Sequence, residues 1–352
     1  MRVSIGSLGA RERDARGGPV KGLVLVGLED RTFFEKGKIM KSRWLIWVAA
    51  LGMNVACGPL LFLSPARAEE VRGQALYVAV AGENAIALVD LAAKTVEKFP
   101  MEGAKEPHAV ALSHDRKIIY VGNAVGGKVV VVDAVTKKTL RVVEAANSLC
   151  GMTWSPDRQM LYLTDMKDGR IYQFNPTSET VIGSIPVAER LCGLDFARDR
   201  KKAFTGNMIA GGQVVVLDWE TKKVIEKIPV GTMPHHVGVT PDAMSLYVSV
   251  GGEGVIAKID LKTGKIVEKI RTGGDPHAVL IAADGRTGYV TVRGKPQAKD
   301  SSIFVLDLES SKIVDQISGI GPRACDVIFA QLDGTPGRNV GSGLNRKAHL
   351  QS

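Results

Sequence analysis

The chain is poor in cysteine, with 4 in 352 residues, and poor in aromatic residues, at 5%. So few cysteines cannot staple a small disulfide scaffold, so the fold must rest on an apolar core. No Cys-x-x-Cys-His stands anywhere, which excludes covalent haem attachment of the c type. A phosphate loop and a Gly-x-Ser-x-Gly elbow are missing as well. No segment shows a convincing helical period. The excess of positive charge, +9 overall, is local. Residues 1–68 hold 11 Lys/Arg against 5 Asp/Glu, and the remainder holds 35 against 32. The rest of the chain is therefore close to neutral with its signs interleaved, and a nucleic-acid partner is not expected.

The one long apolar run, residues 44–63, follows Lys41 and Arg43 and precedes Ala66-Arg67-Ala68. A basic start, an apolar stretch and a small-x-small site predict a signal peptide over 40–68 with cleavage after Ala68. The expected location is the periplasm, with contact to a membrane only through this export signal. The alternative is an uncleaved anchor, since the run is about long enough to span, although Asn54, Gly58 and Pro59 interrupt it. Residues 1–39 do not suit the front of a signal peptide and are expected to be an upstream extension, with the true start at Met40. Residues 334–352 lack any pattern and are expected to be a disordered tail.

What the chain does have is a repeat. From residue 73 a period of about 43 residues runs through the sequence, as a solenoid or propeller requires. One apolar strand contains Tyr77, Tyr120, Tyr162, Phe204, Tyr247 and Tyr289 in turn. The next ends in Asp90, Asp133, Asn175, Asp218, Asp260 and Asp307. Short β-branched runs between Gly, Asp, Thr and Pro turns predict an all-β protein. Four strands per repeat, lettered A to D from the axis outward, predict a β-propeller over 69–333. The first repeat lacks its A strand, and the segment from Cys325 to Ala330 is an A strand without a B strand behind it. The last strand should complete the first blade, which gives six blades, with seven as the alternative. The once-per-repeat acids Asp115, Asp157, Asp199, Asp242 and Asp284 are expected in A–B turns. Trp154 and Phe196 are expected in the core between blades.

Tyr120-Val121-Gly122-Asn123, the Val132-Asp133 pair with Thr136, Ile228-Pro229-Val230-Gly231 and Ser155-Pro156-Asp157 resemble the YVTN-repeat β-propellers. The resemblance covers residues 73–330. It implies the propeller fold, and through the wider superfamily a loose link to nitrous oxide reductase and the haem domain of nitrite reductase, where histidines near the axis hold a metal centre. It does not imply one activity.

The chemistry concentrates in one repeat position, just before the A strand. It holds His108, Cys150, Cys192, His235, His277 and Cys325. Six residues at the starts of the innermost strands should ring the mouth of the central channel. Imidazole and thiolate suit copper or zinc. The expectation is a transition-metal site, copper first, with zinc or a haem-type cofactor as alternatives, in a redox or metal-handling role. His236 adds a nitrogen beside the ring. Arg190 and Arg323, each two residues before a ring cysteine, should lower thiol pKa values or bind an anionic cofactor or substrate. Against this, a polar residue after Pro suits a turn, and Cys suits buried packing. Cys150 and Cys192, on neighbouring blades, are also placed to form a disulfide that leaves Cys325 free. A monomeric interaction scaffold is the alternative function, with a protein or small-molecule partner on the same face. A lactonase-like hydrolase is a third, though no acid-rich site supports it. The long loop over 293–302, with Lys295, Pro296, Gln297 and Lys299, is either a lid beside the mouth or a tolerated insertion.

Overall fold

The computed structural model describes residues 33–35, 38–40, 74–294 and 300–331. The upstream extension, apart from a short hairpin of Phe33–Glu35 with Lys38–Met40, lies outside them. So do the signal segment beyond Met40, the tail over 334–352, and Lys295, Pro296, Gln297 and Lys299.

Residues 74–331 form six four-stranded antiparallel sheets, each a blade. The blade sequences alternate runs rich in Val, Ile, Leu and Tyr with Asp-Gly, Asp-x-x-Thr and Ser-x-Asp turns, so each run is long enough for one strand and no more. The turns close themselves. Asp90, Asp133, Asp218, Asp260 and Asp307 accept backbone N–H groups two or three residues on, as Asn175 does. Ser113 and Ser155 donate to Asp115 and Asp157 within the A–B turns. These acids are structural, as their periodicity predicts.

Burial follows position in the blade. The B strands, such as Leu161–Asp165 and Ser245–Val250, are buried almost throughout. The outer D strands, such as Lys265–Arg271, are mostly exposed and turn only every second or fourth residue inward, here Ile266 and Ile270. That even spacing is what a strand with one dry face requires. The apolar core lies between blades. Tyr120 packs on Trp154 of the next blade at 6.2 Å between ring centroids, and Tyr162 on Phe196 and Trp219 at 6.2 and 4.7 Å. Trp154 and Phe196 thus lie where the alternation puts them, part-buried against a neighbour.

The ring closes as the missing A strand demands. Ala324–Gln331 pairs with Gln74–Val80, and the four strands of that first blade come from both ends of the repeat region. The A strands then contact one another in the order Ala324–Gln331, Pro107–Leu112, Leu149–Trp154, Leu191–Phe196, Pro234–Val239 and Asp275–Ile281, and back to the first. The blade count is six.

Closure by one terminal strand has a measurable consequence. A chain ending at Arg323 should lose its cooperative thermal transition, because the first blade is left with an unpaired inner edge. Moving residues 324–331 in front of Gln74 through a short turn should restore that transition, since Gln331 already sits opposite Gln74. Circular dichroism melts of the two chains check both outcomes.

Candidate functional site

All six A strands carry an irregularity at the same place. The register with the B strand slips between Pro107 and Ala109, Leu149 and Gly151, Cys192 and Asp195, Pro234 and Val237, Pro276 and Val279, and Ala324 and Val327. A bulge inserts one extra residue and re-aims the side chains beside it. The ring residues His108, Cys150, Cys192, His235, His277 and Cys325 all lie at these bulges. The freed backbone groups are caught by hydroxyls of the B strands. Thr164 Oγ1 accepts from Gly151 N at 2.9 Å, Thr205 Oγ1 donates to the Gly193 carbonyl at 2.6 Å, and Thr291 Oγ1 accepts from Ala278 N at 2.8 Å. Thr164 and Thr291 share one repeat column with Ser249, a signal that the sequence reading passed over, whereas Thr205 stands one residue earlier, before Gly206.

The six side chains converge. His277 is 1% exposed and is the hub. Its ring lies 4.4 Å from that of His235, 5.2 Å from His236 and 5.7 Å from His108. One ligand atom each from His108, His277 and Cys325 lie within 4.8 Å of one another, and so do those of Cys150, Cys192 and His277. Every member is buried.

The two sets differ in oxidation state. Cys150 and Cys192 form a disulfide with a Cα–Cα separation of 5.0 Å, spanning 42 residues. As a disulfide the pair offers no thiolate. The glycine after each cysteine lets the strands approach. A Cβ on Gly151 would lie 2.6 Å from Gly193 Cα, and one on Gly193, whose φ is +66°, would lie 2.7 Å from His236 Cα. Closing a loop of this length contributes roughly 4 kcal/mol on a chain-entropy account.

Cys325 is the free cysteine of the described residues. Arg293 Nη2 donates to its Sγ at 2.8 Å. Burial pushes the thiol up, but Arg293 and His108 together outweigh it and bring its pKa down to about 7. For His108 burial works downward, and the Cys325 sulfur prevails and raises the pKa. His108 Nδ1 lies 3.0 Å from the Glu106 carbonyl, which leaves Nε2 to face the sulfur. Cys325 and His108 thus favour each other's charged form, with Arg293 adding to the pull on the sulfur. The other imidazoles are neutral. Burial holds His235 and His277 well below the ordinary value, with Arg293 adding to it, and burial followed by His108 brings His236 to about 3.

Beneath the ring, Asp326 lies 3.3 Å from His236 Nδ1 and accepts from Val110 N and Val327 N. Burial raises its pKa far above the carboxylate range. With His236 neutral, this contact is not an ion pair. Asp195 is likewise raised by burial, to about 6. Among the described residues, three imidazole nitrogens have no hydrogen-bond partner: His235 Nδ1, His236 Nε2 and His277 Nδ1. Each such buried group costs about 1–3 kcal/mol, so the cluster is not built for stability alone.

The two arginines make their hydrogen bonds away from the ring sulfurs. Arg190 donates to the Met208 carbonyl, and Arg323 pairs with Glu106 at 3.0 Å, both from left-handed turns with φ of 51° and 58°. Arg323 offers Cys325 its carbonyl, at 3.2 Å from Sγ, and its guanidinium interacts with the sulfur through charge alone. The cation on the sulfur is Arg293, which the sequence reading counted merely as the edge of a loop. Its signal was a second repeat column at the end of the B strands, four residues after the Tyr or Phe of each: Ala81, Ala124, Met166, Met208, Gly251 and Arg293. Asn123, Asp165 and Asn207, on the same face, prove to be loop ties. Asp165, for example, accepts from Asn147 N and Ser148 N.

No protein-family model matches this chain, and no curated protein matches it. Solved structures do. The chain is similar to hydrazine synthase of Kuenenia stuttgartiensis, with a TM-score of 0.50 and 19% identity over 60% of this chain. That match spans 65% of the hydrazine synthase chain, under two thirds of its length. It is also similar to a chain of a nidogen/laminin complex, with a TM-score of 0.58, 15% identity, and coverage of 73% of this chain and 98% of that one. At such identities the likeness establishes the β-propeller fold alone.

The thiolate is directly measurable. In metal-free protein, the ultraviolet absorbance of the Cys325 thiolate should rise with a midpoint near pH 7 and disappear in Cys325→Ser. Arg293→Gln removes the cation that opposes burial, so its midpoint should move upward. A midpoint unchanged by that substitution would place the cause elsewhere.

Proposed function

We propose that the axial cluster binds a transition-metal ion, copper before zinc, through His108, His277 and Cys325 in an exported protein. The observation that carries this is the three buried donors within 4.8 Å of one another, with His277 Nδ1 free of any protein partner. One thiolate with two imidazoles suits Cu and Zn better than Mg or Ca. Donors this close leave no room for a macrocycle between them, which weighs against a haem-type cofactor. A bound ion would supply electron transfer or Lewis acidity. The chain's own groups prepare the place. The Glu106 carbonyl holds His108 Nδ1, so Nε2 is the nitrogen that would shed its proton to bind, Arg293 and His108 favour the Cys325 thiolate, and burial keeps His277 unprotonated. On binding, Arg293 must release the sulfur. The export signal read at 40–68 would place this site in the periplasm, in keeping with the disulfide.

A second reading is an interaction scaffold on the same face. It is favoured by the likeness to a propeller solved within a nidogen/laminin complex.

Untagged, oxidised protein should bind copper or zinc stoichiometrically by elemental analysis after equilibration and desalting. His277→Phe and Cys325→Ser should each lower affinity by more than the roughly 10–100-fold that losing an outer-shell partner costs. Cys150→Ser/Cys192→Ser should leave this binding intact. Wild-type protein that retains no metal, or a His277→Phe variant that binds as well, would leave the scaffold reading.

A further inference from the structure

The disulfide sits in a setting that a structural staple does not need. Cys150 and Cys192 pack with buried Met208 and with the part-buried Met166 and Met233. Three thioethers thus pack with a pair of sulfurs whose ligand atoms lie within 4.8 Å of the unpartnered, 1% exposed His277. Two of these methionines occupy the second repeat column, and the third stands two residues before His235. At the positions equivalent to Met166 and Met208 the other blades carry Ala81, Ala124, Gly251 and Arg293, so in this column thioethers gather only beside the cysteine pair. Thiolate, thioether and imidazole together are the donor set that selects a soft monovalent cation.

We infer that the Cys150–Cys192 disulfide is the closed form of a second metal site, which opens on reduction and takes Cu(I). A dithiol reductant supplies the electrons. It loses two S–H bonds and forms its own disulfide, while the Cys150–Cys192 bond breaks and each sulfur takes a proton. Both thiols then deprotonate onto the cation, which His277 completes as third ligand, with Met166, Met208 and Met233 as the thioether wall. In the oxidised protein the pair has no charge to offer, and His277 belongs to His108 and Cys325. Reduction gives His277 a competing set of ligands. One imidazole shared between a thiolate site and a dithiol site makes the oxidation state of the pair a selector of where a cation rests. The inference does not depend on the first site being occupied, because its ligands other than His277 are different residues.

The test uses the full chain carrying His108→Gln/Cys325→Ser, which removes the first site. The protein is reduced with a dithiol, desalted without oxygen and titrated with Cu(I) against a chromogenic cuprous chelator. The oxidised form should compete negligibly and the reduced form should withdraw one cuprous ion per chain. Adding Cys150→Ser/Cys192→Ser should abolish this, and Met208→Leu should weaken it by about 10-fold. Near-ultraviolet circular dichroism establishes that each variant is folded. Folded, reduced protein that takes no copper, or takes as much in the Cys150→Ser/Cys192→Ser background, overturns the inference. Loss of metal binding by oxidised wild-type protein alone would overturn only the first site.

Discussion

The pairing of Ala324–Gln331 with Gln74–Val80 is the constraint on which everything else depends. A propeller blade has one dry face for each neighbour, and an open series of six would leave two such faces in water. Closing the series brings the starts of six A strands to a single axis. A residue type repeated at that height is then concentrated in one small volume, whatever the reason for its presence in any one blade. The metal-type chemistry of this chain is a product of ring closure as much as of its histidines and cysteines.

Convergence alone does not aim a side chain inward. Innermost strands can equally turn a residue toward the adjoining blade, and the bulge at the start of each A strand decides the matter. Its extra residue frees backbone groups, and Thr164, Thr205 and Thr291 take them up. Where the hydroxyl lacks such a role, as at Ser249, the oxygen stays unpartnered. The result is a polar cluster inside an apolar ring, in which burial disfavours charge on the imidazoles His235, His236 and His277 while Arg293 stands against Cys325 and Asp275. Low dielectric strengthens the contact of Arg293 with Cys325 for the same reason that it keeps His235, His236 and His277 neutral.

The fold could be read closely from the residues, because the period, the turn acids and the orphaned final strand are all local patterns. Six blades followed from Cys325 to Ala330 lacking a successor. The ring was legible as a column, but a column states height along a strand and says nothing of distance across the axis. Whether Cys150 and Cys192 meet is decided by Gly151 and Gly193, whose missing side chains allow the approach. The two arginines show what spacing leaves open. Arg190 and Arg323 had the right spacing, yet left-handed turns put them on Met208 and Glu106. Arg293, from a different column, makes the direct contact with the Cys325 sulfur, and Arg323 acts on it through charge alone.

The closing strand also carries Cys325, and this sets an order of assembly. Synthesis runs from the N-terminus, and early segments fold before late ones emerge. Cys150 and Cys192 are both available, and their blades both complete, before Cys325 exists to compete for either. Of the three possible pairings among the propeller's cysteines, the native one is the first that can form. The last strand then delivers an unpaired thiol to a ring with no other thiol left in it. Vectorial growth of the chain thus protects the one reactive sulfur from being consumed in a staple.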